Sequence, residues 1–270
     1  MDIVQLVQSV ILGMVQGVTE WLPISSKAMV SLVMIKFFNA DISLSEAVYY
    51  SIWLHIGTLL AVILFYRVQV IRIIGNLPRY LSDVRAPTGY NRLTTFLLIA
   101  TFCTGLVGAP LAIFGLDKIQ FSGGLAIAFI GLLLIVTGAL QKFARRSVSA
   151  NRSMSARDAL LVGIIQGFAA LPGLSRSGLT TSTLLLRRYA ATDALNLSFL
   201  LYIPSVIGAE IGLAILKGGV YFNTYSLIAI VIAFLFGLLT INILLKVAER
   251  IDFSYFCIFL GVLCTLAIFL

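Results

Sequence analysis

Charged side chains are scarce in this sequence. They account for 11% of its 270 residues, whereas 60% are hydrophobic and the mean hydropathy is +1.05. Soluble domains carry about twice that share of charge, so a soluble protein is excluded. The apolar residues form runs near the roughly 20 residues that a membrane helix needs. Runs such as GGLAIAFIGLLLIVTGAL lack the alternation of β-barrel strands. The composition predicts an all-α polytopic membrane protein with one integral membrane domain, residues 1–270.

Cysteine and histidine are also rare. Cys103, Cys257 and Cys264 lie in apolar runs without the spacing of metal ligands, which indicates small core or lipid-facing residues. His55 is the only histidine. No basic region precedes the first apolar stretch, so we expect no cleavable signal peptide. The net charge of +8 would suit nucleic acid, but its placement fits membrane orientation instead, and we expect no nucleic-acid partner.

Six apolar segments are long enough to cross a bilayer. Two further apolar regions, about 3–37 and 158–189, are interrupted midway by proline and by serine-rich, charged turns. These interruptions indicate re-entrant hairpins, which enter and leave the membrane on one face. The six predicted spans cover residues 45–66, 92–114, 120–141, 195–216, 224–246 and 253–270.

The basic residues other than Lys27 and Arg176 indicate an orientation in the plasma membrane. If the loop after the first span is cytoplasmic, fourteen of them lie inside and three outside, a strong positive-inside bias. This count requires two hairpins of opposite orientation and places both termini outside. The inner residues are Arg67, Arg72, Arg79, Arg85, Arg92, Lys142, Arg145, Arg146, Arg152, Arg157, Arg187, Arg188, Lys246 and Arg250, and the outer ones are Lys36, Lys118 and Lys217.

The two interrupted regions resemble each other. LGMVQG (12–17) and VGIIQG (162–167) share two glycines and a glutamine at an offset of 150. PISSK (23–27) resembles PGLSRS (172–177) with a one-residue slip. Together with the opposite orientations, this similarity predicts an inverted-topology repeat of roughly 1–141 and 158–270. Such repeats place a site at their interface, built from broken helices.

The turn PGLSRSGLTTST in the second region has the composition of a phosphate site. A Gly/Ser turn before a helix presents backbone N–H groups at the positive end of the helix dipole. Arg176 adds a guanidinium group, and Ser175, Ser177 and Thr180 add hydroxyls. The alternative is an arginine that snorkels to lipid headgroups beside a capping serine.

The first region supplies an acid. Gln16 and Glu20 are four residues apart and share one helix face. Pro23 ends that helix, and Ser25–Ser26 can cap the next one. Glu20 could bind a divalent cation, activate water or a serine hydroxyl, or merely neutralise a nearby cationic side chain. An acid, basic groups and paired hydroxyls facing each other suit phosphoryl transfer.

ILGMVQGVTEWLPISS and ALPGLSRSGLTTS, joined by HIGTLLAVILFYR (55–67), resemble the undecaprenyl-pyrophosphate phosphatase family, the bacitracin-resistance type of membrane lipid phosphatase. The resemblance covers essentially the whole chain. It implies inverted repeats, two re-entrant hairpins and an outward-facing site. That site would remove the terminal phosphate of a C55 polyprenyl diphosphate, with a divalent cation such as Mg²⁺ or Ca²⁺, and so recycle the lipid carrier for cell-wall glycan synthesis. The resemblance leaves open whether the protein forms a homodimer.

The family motifs carry roles onto particular positions. The [E/Q]xxxE motif falls on Gln16 and Glu20, which the resemblance makes cation ligands, with Glu20 also an acid–base candidate. The paired serines fall on Ser25 and Ser26, of which Ser26 is the favoured nucleophile. The expected phosphate-binding set is Gly173, Ser175, Arg176, Ser177 and Thr180 from the PGxSRSxxT motif, together with Lys27.

One position departs from the family pattern. After the paired serines the family typically has Thr-Gly-His, whereas this chain has Lys27, Ala28 and Met29. Met29 cannot move a proton, while Lys27 could place a positive charge beside the phosphates. His55 stands where the family often has glutamine. We expect it to be a packed residue that lines the cavity, with a catalytic role as the alternative.

The missing histidine leaves a second function open. A transporter or flippase for polyprenyl phosphate would use the same phosphate site, since inverted repeats with broken helices also build transporters. A purely structural membrane protein is a third reading. Glu210 is expected either inside the membrane, hence functional, or at the interface near Lys217. Residues 67–91 are expected to form a solvated cytoplasmic loop whose basic residues fit anionic headgroups.

Overall fold

The computed structural model describes residues 2–38, 42–83, 89–115, 121, 123–145, 153–217 and 223–266. Within these ranges the chain is helical and contains no strand, which confirms the predicted all-α class. The α-helices of this part are α1 (Ile3–Thr19), α2 (Ser26–Leu32), α3 (Leu44–Phe65), α4 (Arg67–Ser82), α5 (Gly89–Pro110), α6 (Gly123–Ala144), α7 (Ala156–Gly167), α8 (Arg176–Leu186), α9 (Ala191–Lys217), α10 (Thr224–Arg250) and α11 (Phe253–Leu266).

Five helices are long and apolar enough to cross a membrane, so the protein is a multi-pass membrane protein. These are Leu44–Phe65, Gly89–Gly115, Gly123–Ala144, Ala191–Ile215 and Thr224–Arg250. They match five of the six predicted spans. The sixth, predicted over 253–270, begins as α11, whose 14 described residues fall short of a span, and residues 267–270 lie outside the described part.

The prediction of a solvated loop over residues 67–91 is wrong for its first two-thirds. Residues 67–82 form α4, because one side of this segment packs onto α5. Buried Tyr80 accepts a hydrogen bond from Thr95 at 3.2 Å, and Asn76 donates to Asn91 at 2.6 Å. Arg85 and Pro87 of the predicted loop lie outside the described residues.

Both interrupted regions are helices broken where the sequence indicated. In the first, α1 ends at Thr19 and α2 begins at Ser26, because Pro23 has no amide hydrogen with which to continue a helix. In the second, a 3-10 turn follows α7 and α8 begins at Arg176. Gly173 in this break has φ +103°, a conformation that favours glycine. The first residues of α2 and α8 are 150 positions apart, so the helix starts match without the one-residue slip.

Close helix crossings are made at glycines. A Cβ on Gly13 would lie 2.5 Å from the Ala229 carbonyl oxygen of α10, so α1 packs directly on the α10 backbone. Gly163 of α7 is equally close, at 2.4 Å, to the Ala100 carbonyl of α5. Gly57 of α3 also faces α10. These contacts hold the broken helices against the long ones, as small residues do in membrane proteins.

Candidate active site

The two helix breaks meet in the interior. Ser25 Oγ accepts a hydrogen bond from the Gly173 backbone N–H at 3.2 Å, and Ser177 Oγ donates to the Leu22 carbonyl at 3.2 Å. Gln141 of α6 donates to the Pro23 carbonyl at 2.5 Å. Carbonyls and amides left without helical partners are therefore bonded across the breaks, as backbone inside a membrane requires.

Glu20 is the centre of the polar cluster. It is 5% exposed, and its Oε2 accepts hydrogen bonds from Gln16 Nε2 at 2.9 Å and from Ser26 Oγ at 2.6 Å. His55 Nε2 lies 3.2 Å from the same oxygen, and Arg176 Nη2 lies 3.0 Å from Oε1. A buried carboxylate needs such partners because its charge has left water. The structure thus brings four residues singled out in the sequence into contact with Glu20, itself the fifth.

His55 has both ring nitrogens engaged. Nδ1 lies 2.7 Å from the Ser51 carbonyl, which only accepts, so Nδ1 carries the proton of that hydrogen bond. The ring is thereby oriented with Nε2 toward Glu20. His55 is a buried, packed residue and lies in the cavity wall, and its contact with Glu20 was not anticipated by sequence reasoning. The four-residue pattern of Gln16 and Glu20 gave no indication of a partner on α3.

Arg176 is held on several sides. Besides Glu20, it donates through Nη1 to the Ser198 carbonyl at 3.1 Å, and its guanidinium carbon lies 4.3 Å from the centroid of the Tyr202 ring. Thr180 Oγ1 bonds the Ser198 hydroxyl at 2.6 Å and so supports this arrangement without lining a cavity. Arg176 does not snorkel to the surface. Its Nε is buried and has no hydrogen-bond partner in the described part of the chain.

The paired serines differ in their roles. Ser25 caps α2, accepts from the Ala28 and Gly173 N–H groups, and has φ 66°, an unusual conformation for a residue other than glycine. Ser26 is the first residue of α2, and its hydroxyl points to Glu20. The Ser25 hydroxyl is therefore occupied by hydrogen bonds that join the two breaks, whereas the Ser26 hydroxyl is oriented by the Glu20 carboxylate.

Two adjoining hollows surround this cluster. A narrow crevice is lined by both breaks, including Ser25, Ser26, Lys27, Ser175 and Ser177. A larger cavity of about 410 Å³ shares Glu20, Lys27, His55 and Arg176 with it. The larger cavity is otherwise mostly apolar and includes small residues of α5 and α9, namely Gly105, Gly108, Ala109, Gly208, Ala209 and Gly212.

Of the other predicted residues, Gly173 and Met29 lie beside the two hollows, whereas Glu210 lies on a wall. Gly173 forms the turn, and its N–H is taken by Ser25. Met29 packs against an apolar cluster that includes Leu44 and Tyr49. Glu210 does line the larger cavity, and neither of its buried carboxyl oxygens has a hydrogen-bond partner among the described residues. Glu210 is thus a buried acid on the wall of the larger cavity.

The oxygens near Glu20 are chemically suited to a hard divalent cation. Gln16 Oε1 is buried and has no hydrogen-bond partner in the described ranges, while Gln16 Nε2 is turned to Glu20. Mg²⁺ and Ca²⁺ prefer carboxylate and amide oxygens. The described residues contain no group of three His, Cys, Asp or Glu side chains arranged to hold a metal. The protein could therefore contribute two ligands, and a bound phosphate would have to contribute others.

Comparisons with known proteins identify the family of this chain. The family model described as Bacitracin resistance protein BacA matches residues 9–266. The undecaprenyl-diphosphatase of Methanococcoides burtonii is 51% identical over 263 residues, covering 97% of this chain and 98% of that protein. Those of Methanopyrus kandleri and Methanothrix thermoacetophila are 37% and 35% identical and cover 96% and 97% of this chain, and 94% and 96% of their own lengths. These names denote hydrolysis, so the transporter alternative finds no support. The chain belongs to the bacitracin resistance protein BacA family.

Proposed function

We propose that this protein hydrolyses undecaprenyl diphosphate, or a similar long-chain polyprenyl diphosphate, to the monophosphate and inorganic phosphate. The observation that carries the proposal is the contact set of Glu20, whose two oxygens meet Ser26 of one broken helix and Arg176 of the other. The adjoining cavity is mostly apolar, which suits a prenyl chain. The three relatives named above carry the name of this activity.

Ser26 is the proposed nucleophile. Its hydrogen bond to Glu20 orients the hydroxyl so that an oxygen lone pair can face phosphorus. As the bond from Oγ to the terminal phosphorus forms, the bond to the bridging oxygen breaks, the hydroxyl proton passes to Glu20, and the polyprenyl monophosphate leaves. Water then attacks the phosphorus of the phosphoserine, the bond from phosphorus to Oγ breaks, Glu20 returns its proton to Oγ, and the protons of the water leave with the phosphate. Direct attack by water held at Glu20 is the second form of this mechanism.

Arg176 and Lys27 are the proposed phosphate anchors. The contacts of Arg176 with Ser198 and Tyr202 fix its guanidinium before substrate arrives, which limits the reorganisation needed on binding. Lys27 lines both hollows, and its ammonium group has no hydrogen-bond or ion-pair partner among the described residues. Ser175 and Ser177 line the crevice and can donate further hydrogen bonds, whereas Gly173 and Thr180 act by shaping the turn and holding Ser198.

A divalent cation is part of the proposal. Gln16 Oε1 and one oxygen of Glu20 would hold it together with phosphate oxygens of the substrate. When bound, the cation would offset the negative charge of the diphosphate. Arg176 and Lys27 repel a free cation from this position, so we expect the cation to bind together with the diphosphate rather than before it.

We also propose that the two broken helices are oppositely oriented re-entrant hairpins, about 3–37 and 158–189, of an inverted repeat of roughly 1–141 and 158–270. The glycine crossings support this, because α1 packs on α10 as α7 packs on α5. Gln16 reaches the Thr58 hydroxyl of α3, and Gln166 reaches the Ser205 hydroxyl of α9. The basic residues support termini outside, α11 as a sixth span, and a site that opens outward.

Purified protein with polyprenyl diphosphate and Mg²⁺ tests the proposed function. We expect phosphate release, and a fall in kcat of about 100-fold or more in Ser26→Ala, Glu20→Ala and Arg176→Ala. Ser31→Ala is the matched control, since Ser31 is a buried serine of the same helix with no hydrogen-bond partner in the described part of the chain. Its activity should be unchanged. Binding of the lipid without phosphate release by folded wild-type protein would contradict hydrolysis and favour transport.

A further inference from the structure

Helix α4 lies in the chain between two candidate membrane spans. It begins at Arg67, immediately after the span α3 ends at Phe65, and its end at Ser82 precedes the span that starts at Gly89. Short connections join both ends of α4 to candidate spans. A helix between them cannot move far from the boundary of the bilayer. The position of α4 follows from these chain connections and does not rest on the proposed function.

One side of α4 is fixed to α5. Arg72 donates to the Tyr90 hydroxyl at 3.2 Å, and Asn76 and Tyr80 are bonded to residues of the first two turns of α5. Tyr80 is buried. The rotation of α4 about its own axis is therefore set by these contacts, so the direction in which its remaining sides face is defined.

The opposite side of α4 carries an unburied apolar stripe. Ile71, Ile74 and Leu81 are 67%, 59% and 76% exposed, and Pro78 lies between them on the same side. The intervals of three, four and three residues are those of one helix face. In water this stripe would be unfavourable, and no described residue covers it.

The charges of α4 identify the surface that covers the stripe. The helix contains Arg67, Arg72 and Arg79, all exposed, and no acidic residue. An exposed apolar stripe on a helix whose charged residues are all basic is the pattern of helices that lie in the interface of an anionic membrane. We propose that α4 lies along the bilayer surface, with Ile71, Ile74 and Leu81 among the upper acyl chains and Arg72 and Arg79 against the phosphates of anionic lipids.

Added tryptophans measure the depth of the two sides. The native Trp21 and Trp53 are buried and provide the background. In vesicles of phosphatidylglycerol and phosphatidylcholine brominated near the headgroup, we expect the added emission of Ile74→Trp to be quenched at least 2-fold more than that of Gln69→Trp. Gln69 is the matched control because it is exposed on the same helix but about 140° away around the axis. Equal quenching of the two variants would overturn the proposal. Quenching of Ile74→Trp that appears only when the protein is highly diluted in lipid would also overturn it, because the stripe would then be covered by a second copy of the protein at ordinary protein density.

The charge dependence is a second test. Replacing phosphatidylcholine by phosphatidylglycerol should raise the thermal unfolding midpoint of the wild type, and this gain should shrink in Arg72→Gln/Arg79→Gln. Arg157→Gln is the control, since Arg157 is an exposed arginine that belongs to α7 and not to α4. A gain that is equal in all three proteins would contradict binding of anionic lipid by α4.

Discussion

Replacing His55 by leucine tests whether the histidine acts on Glu20. Leucine keeps an apolar side chain of similar bulk on α3 but removes the contact at 3.2 Å with Glu20 Oε2 and the bond to Ser51. Hydrogen bonds to charged groups contribute about 1.5–3 kcal/mol. At 1.36 kcal/mol per factor of ten, we expect kcat to fall roughly 10- to 150-fold. KM should change little, because Arg176 and Lys27 are the proposed phosphate anchors.

Phosphate release at saturating and limiting polyprenyl diphosphate separates these two effects. His55→Gln is the conservative variant, since its neutral amide can still donate to Glu20, and it should fall between wild type and His55→Leu. The thermal midpoint of each variant in detergent shows whether it is folded. A folded His55→Leu protein whose kcat stays within about 2-fold of wild type would refute the argument, because a lost bond of this kind costs more. So would a rise in KM at unchanged kcat, which would assign His55 to binding alone.

Three further predictions concern packing and charge. Gly131→Val should lower the unfolding midpoint, because a Cβ would lie 2.5 Å from a backbone oxygen of α11, whereas Gly75→Ala on an open helix surface should not. Met29→His should not raise kcat in the phosphate assay, because Met29 packs among apolar side chains outside both hollows. Burial raises the pKa of Asp158, but hydrogen bonds, among them one from Arg187, outweigh it and the net pKa is lowered. The stability difference between wild type and Asp158→Asn, measured by thermal unfolding, should therefore hold above the unfolded pKa of about 3.9 and disappear as pH falls through the lower folded value.

Much of the fold could be predicted because the bilayer restricts what a chain can do. Apolar length identified five spans, and Pro23 with Ser25 located the first helix break within a few residues. The error at residues 67–91 arose because the prolines and arginines of this segment were taken as signs of a solvated loop. The apolar stripe of Ile71, Ile74 and Leu81 at helical intervals was the signal that could have indicated a helix.

The contacts of the site were less accessible to sequence reasoning. The motif residues could be named, but no local pattern distinguishes Ser25 from Ser26 or connects His55 to Glu20. α3 is apolar around most of its circumference, so its periodicity does not show which side faces the cavity. These contacts depend on how α3 packs against the first broken helix, which is a property of the whole fold.

The proposed repeat explains why the site needs both halves of the chain. At the offset of 150, Ser26 corresponds to Arg176, each the first residue of its helix after a capping serine, and Glu20 corresponds to Ala170. Both first residues contact the one carboxylate that lies between them. A second glutamate at position 170 would add a negative charge beside the negatively charged diphosphate, at a cost of several kcal/mol unless it were paired. One half of the repeat therefore carries the acid and the other carries the guanidinium group. This difference follows from the negative charge of the diphosphate in the proposed function.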